Sequence, residues 1–126
     1  MENKLDLRTE LDLPTFESTT AIEKFQNKTL RPVLKLQNEV YLAVFENYAI
    51  KLKSDFKTLS TEKKRIFIEQ SIQKDVALKN TLIGITIGMF SKEELEAYLL
   101  ENKIYNKRIL TMLVERLDQS QKLGRN

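Results

Sequence analysis

The segment that most constrains this chain is residues 33–52. Thirteen of its twenty positions are apolar: Val33, Leu34, Leu36, Val40, Tyr41, Leu42, Ala43, Val44, Phe45, Tyr48, Ala49, Ile50 and Leu52. That is too many for the single stripe of a surface helix, and a helix apolar over most of its circumference is one covered on several sides. The cover comes from neighbouring helices or from a partner subunit. The longest unbroken apolar run, Val40 to Phe45, falls far short of the roughly 20 residues that span a bilayer. The segment therefore predicts the central helix of an all-α fold, with no membrane span.

The rest of the chain fits around it. Residues 1–19 read as an acidic N-terminal tail, with Leu5, Leu7, Leu11 and Leu13 set among acidic side chains and Pro14 closing the stretch. The first twenty residues carry a net charge of −3 and the remainder +6. A first helix is expected from a cap at Ser18 to Thr20 through Ile22 and Phe25 toward Asn27. Pro32 then allows two arrangements: a new helix capped by Thr29, or one long helix kinked at the proline. Leu59-Ser60-Thr61 reads as loop and cap before an amphipathic helix with Ile68, Ile72 and Val76 at four-residue steps. Residues 82–88 are β-branched enough for a strand, but helix is favoured, ending at Gly88, because only the leucines of the tail offer a strand partner. Ser91-Lys92-Glu93-Glu94 is a capping box. The helix it starts is expected to break or bend over residues 102–106, before a last helix marked by Ile109, Leu113 and Leu117. Beyond Gln119 the chain is polar and reads as a fraying end. The outcome is a small bundle of four to five helices forming one domain over residues 20–126.

A chain of 126 residues is long enough for one self-supporting core. Histidine and cysteine are both absent, which removes histidine triads, thiol nucleophiles, disulfides and the usual zinc and iron sites. Three glycines, none in a phosphate-loop pattern, exclude that motif too. No cofactor is implied, and Glu93, Glu94 and Glu96 read as charges at a helix start rather than as an acid and base. Met1 to Leu13 lacks the continuous apolar core of a secretory signal. Together with the missing cysteine, this sets a cytoplasmic location as the expectation.

Two sets of residues are candidates for a site. Asn27, Lys28, Arg31 and Lys35, with Asn38, recur at helical spacing around Pro32 and can line an anion or ligand pocket. Lys63, Lys64 and Arg65, with Lys103, Lys107 and Arg108, are candidates for nucleic-acid contact. In that reading residues 91–117 form a helix-turn-helix-like unit whose last helix enters the major groove. Two departures count against it: the turn at 102–106 is long and lacks glycine, and no residues remain for a β-wing. Gly84 and Gly88 match the Gly-x-x-x-Gly spacing of close helix approach, a weak signal outside a membrane.

The strings Phe25-Gln26-Asn27-Lys28-Thr29-Leu30-Arg31-Pro32-Val33-Leu34-Lys35-Leu36-Gln37 and Thr111-Met112-Leu113-Val114-Glu115-Arg116-Leu117 resemble a family of short helical bacterial proteins, some of which carry the label glyoxalase. The likeness covers about residues 16–120. The label implies a lyase built from paired βαβββ units around a metal held by histidine and glutamate, and this chain has no histidine to supply. The reading preferred on the residues is a non-enzymatic helical protein acting through protein contacts, as a homodimer or a small subunit. Nucleic-acid binding is the alternative, and the lyase stands third.

Overall fold

The structure, a computed structural model, describes residues 20–122; the tail expected at 1–19 lies outside them. The described chain is all α-helical, with α1 (Ala21–Phe25), a π-helical turn (Gln26–Leu30), α2 (Arg31–Leu36), α3 (Asn38–Lys51), a 3-10 turn (Phe56–Thr58), α4 (Thr61–Lys74), α5 (Val76–Ile87), α6 (Lys92–Leu100) and α7 (Asn102–Lys122). Since α1, the π turn and α2 run on as one rod, six rods make the bundle, rather than four or five. Among the described residues no helix is long and apolar enough to cross a membrane.

Local chemistry explains most boundaries. Thr20, Ser60, Asp75 and Ser91 each accept an amide hydrogen bond three residues ahead, at the starts of α1, α4, α5 and α6. At Ser91 the capping box is complete, because Glu94 Oε1 accepts from the Ser91 amide at 2.8 Å. Residues 82–88 are helical up to Gly88, as the absence of a strand partner predicts. The helix runs through Pro32 without a break. The proline lacks an amide hydrogen and its ring crowds the carbonyl four residues back, and the preceding turn widens so that the Arg31 amide reaches the Gln26 carbonyl. Thr29 therefore sits inside a helix and is no cap.

Four expectations are corrected. Residues 33–52 are two helices interrupted at Gln37, and they are not surrounded: Val33, Leu34, Tyr41, Leu42, Phe45 and Ala49 face inward while Leu36, Val40, Ala43 and Ile50 are exposed. The helix at the centre is α7, which packs on α3, α4, α5 and α6 and buries Tyr105, Ile109, Leu113 and Leu117. Residues 102–106 are its first turns; the corner between α6 and α7 is Glu101 alone, at φ −138° and ψ 42°. The polar end does not fray at Gln119, since α7 runs to Lys122 and buries Ser120. Val76 also leaves the core, because Asp75 ends the α4 register and starts α5.

Aromatic side chains close the bundle at both ends of α7. Phe25, Phe90, Tyr98 and Tyr105 meet near its start. Phe45, Tyr48, Phe56 and Phe67 form the second cluster, at the end where α3 and the 3-10 turn lie.

Candidate functional site

Three arginines, Arg31 on the first rod and Arg108 and Arg116 on α7, are held by amide oxygens. Arg108 donates to Gln26 Oε1 at 2.7 Å, Arg31 to Asn27 Oδ1 at 3.0 Å and Arg116 to Asn38 Oδ1 at 3.3 Å. Arg108 and Arg116 stand two turns apart on the same ridge of α7, about 12 Å by helical rise. Each amide gives its oxygen to a guanidinium, which leaves its NH2 group as a further donor. Arg116 is half-buried: desolvation pulls its pKa below the ordinary arginine value, and the nearby Arg31 charge pulls the same way, against the Tyr41 hydroxyl. Beside it the buried Tyr41 hydroxyl lies 2.7 Å from Thr86 Oγ1, which itself donates to the Leu82 carbonyl. Among the described residues no carboxylate pairs with Arg31, Arg108 or Arg116.

Of the residues expected around Pro32, Asn27 and Arg31 pair with each other on the first rod, and Asn38 at the start of α3 pairs with Arg116. Lys28 and Lys35 are exposed on the same rod and make no ion pair among the described residues. Gln26 and Arg116 were not anticipated; the signal for Arg116 was its eight-residue spacing from Arg108 on a helix with Ile109, Leu113 and Leu117 inward. Both strings that carry the family resemblance contribute, Asn27 and Arg31 from one and Arg116 from the other.

The nucleic-acid candidates are not brought together. Arg65 is taken up by Glu69 at 2.8 Å, Glu115 at 2.7 Å and Asp118 at 2.8 Å, and the hydrogen bonds to Glu115 and then Asp118 hold its pKa above the ordinary value. Lys64 lies over the Phe56 ring at 5.6 Å, and Lys63 is exposed. Lys103 and Lys107 are exposed at the other end of α7, where Lys107 is about 16 Å by helical rise from Asp118. Arg108 is held by Gln26. With residues 102–106 helical, α6 and α7 meet at Glu101 alone rather than through the turn expected at 102–106.

A second surface is apolar. Leu36, Val40, Ala43, Asn47 and Ile50 project from one side of α2 and α3, opposite the buried face, with Leu36 40%, Val40 41% and Ile50 66% exposed. Among the described residues an added Cβ at Gly84 meets nothing within 4 Å, and one at Gly88 meets only the carbonyls of its own helix, so the pair brings no second described helix close.

Compared with known proteins, the chain matches no family model, no curated protein and no solved structure.

Proposed function

We propose that this chain is a non-enzymatic helical protein that acts through protein contacts, with a second copy of itself as the partner. The observation that carries the reading is the exposed stripe of Val40, Ala43, Asn47 and Ile50 on α3, about 15 Å long by helical rise and joined by Leu36 at the end of α2, opposite the buried face. A largely apolar strip on a small domain is the kind of surface that meets a partner. A stripe along one helix is self-complementary when two copies pair antiparallel across a two-fold axis. It is narrow against the roughly 800 Å² per partner of a standard interface, so the association is expected to be concentration-dependent. A role as a small subunit of a larger assembly uses the same surface. We place the protein in the cytoplasm on its lack of cysteine, and propose kinship with the short helical bacterial proteins through their architecture rather than through a glyoxalase activity.

Sedimentation equilibrium from micromolar to millimolar protein tests the reading. The mass is expected to rise toward twice that of the chain, and Val40→Glu, at an exposed position, is expected to keep the helical circular dichroism and abolish the rise. A monomer throughout the range, or a dimer indifferent to Val40→Glu, overturns it.

A further inference from the structure

We propose that two copies of this chain pair through α3 in one register, antiparallel about a two-fold axis level with Phe45, so that Leu36 of each copy closes an apolar cavity on the other. This register presupposes the self-association proposed above.

The stripe on α3 reads the same from both ends. Val40, Ala43, Asn47 and Ile50 are spaced three, four and three residues apart, and reversing the order leaves the spacing unchanged. With the axis level with residue 45, Val40 of one copy meets Ile50 of the other and Ala43 meets Asn47, and the two-fold repeats both pairs. The flanking charges agree. Glu39 comes level with Lys51 of the other copy, so each end of the paired helices sets an exposed carboxylate against an exposed ammonium. Sliding one copy by seven residues in either direction leaves Ile50, the most exposed member at 66%, without an exposed apolar counterpart: it then faces the buried Val33 or the polar Asn47.

Beyond Ile50 the surface turns inward. Among the described residues a cavity of about 310 Å³, mainly apolar, opens between the end of α3 and the loop after it, lined by Glu46, Ala49, Ile50, Ser54 and Phe56. Ile50 belongs to both the stripe and the cavity, so the two are continuous. Leu36 stands one turn before Val40, across the interruption at Gln37, where the Tyr41 amide still reaches the Gln37 carbonyl. In the antiparallel register it therefore passes one turn beyond the opposite Ile50, to the cavity mouth. A side chain anchored in a pocket strengthens an interface out of proportion to its area, and the symmetry supplies two such anchors to a stripe that is narrow by itself. Glu46 opposes the pairing, because it lies one residue from the axis and the two copies of it approach each other.

Cysteine cross-linking reads the register, since the chain has no cysteine of its own. Val40→Cys and Ile50→Cys chains, both at exposed positions, are mixed and oxidised at a concentration where sedimentation shows the dimer. The mixed disulfide is expected to exceed either homodimeric one at least fivefold. Two copies of residue 40 stand about 15 Å apart along the axis in this register, beyond the reach of a disulfide. In sedimentation equilibrium Leu36→Ala is expected to raise the dissociation constant at least tenfold with circular dichroism unchanged, Leu36→Met to keep it, and Glu46→Gln to lower it. In a dimer of one isotope-labelled and one unlabelled copy, NMR is expected to show an intermolecular nuclear Overhauser effect between the Leu36 methyls and the Phe56 ring. A dimer that Val40→Glu abolishes, yet that yields homodimeric disulfides as readily as the mixed one, is indifferent to Leu36→Ala or is weakened by Glu46→Gln, overturns the register and leaves self-association standing. A monomer throughout the concentration range overturns both.

Discussion

Thr29 on the widened turn donates a 2.8 Å hydrogen bond to Glu94 Oε2, joining the first rod to the start of α6 across 65 residues of sequence. The other oxygen of the same carboxylate accepts from the Ser91 amide at 2.8 Å. One side chain thus caps a helix and anchors a distant one. Thr29→Val is expected to cost about 1–2 kcal/mol, in the range of a hydrogen bond to a charged group. Glu94→Ala should cost more than Thr29→Val, because the cap goes with it. Urea denaturation of both variants checks the order, and equal losses would show that the contact with Thr29 carries the whole effect.

Tyr41 gives a prediction at alkaline pH. Burial pushes its hydroxyl up to about 12, against the opposing effects of Thr86 and Arg116, whereas an unfolded tyrosine ionises near ~10. The folded state keeps the proton longer, so the contribution of Tyr41 is intact below pH ~10 and is lost as the pH rises toward 12. Melting temperature should fall over this window in the wild type and less steeply in Tyr41→Phe. That variant is expected to lose about 1 kcal/mol at neutral pH with the hydrogen bond. Tyr98 and Tyr105, which burial also raises, leave a residual slope.

Glycine is missing where one helix end favours it and present where a helix does not need it. Lys53 closes α3 at φ 56°, with the Ser54 amide on the Ala49 carbonyl and the Lys53 amide on that of Ile50, the paired bonds of a Schellman end. Lys53→Gly should stabilise the fold by about 0.5–1 kcal/mol. Gly84 lies inside α5, where an added Cβ meets no described residue within 4 Å, and Gly84→Ala should gain about 0.8–1 kcal/mol. Thermal denaturation measures both. A loss for Gly84→Ala would show that a further segment or a second chain packs against that face.

Leu113 and Leu100 separate core from surface on neighbouring helices. Leu113 is fully buried and Leu100 84% exposed. Leu113→Ala is expected to cost about 2–5 kcal/mol through lost burial and the cavity left behind. Leu100→Ala should stay within about 0.5 kcal/mol in the monomer. Equilibrium unfolding of the two variants tests the contrast.

The features legible in the sequence were those decided within a few residues. Ser60 and Ser91 announce helix starts because a cap reads only the next turn, and Ile109, Leu113 and Leu117 announce a buried stripe because four-residue steps stay on one face. The breaks at Gln37 and Glu101 carry neither proline nor glycine, and the expectation of a single helix over 33–52 followed from that. Counting apolar residues there also hid their division between two faces: Leu36, Val40, Ala43 and Ile50 fall on one side in projection, Leu42, Phe45 and Ala49 on the other. The arginine–amide pairs were half legible. Asn27 and Arg31 share a turn, but Arg116 meets Asn38 across 78 residues, a pairing only the packed bundle creates.

The π turn between Phe25 and Arg31 is, in helical arithmetic, one surplus residue absorbed on the spot. Both flanks stay docked, the one through Phe25 on Tyr105 and the other through Leu30, Val33 and Leu34. A deletion of one residue here can be taken up by tightening the loop of backbone back to an ordinary turn. The same deletion inside α7 would rotate everything beyond it by about 100° and turn Leu113 and Leu117 out of the core. The segment before Pro32 is thus where this bundle can change length by one and still close, and the central helix is where it cannot.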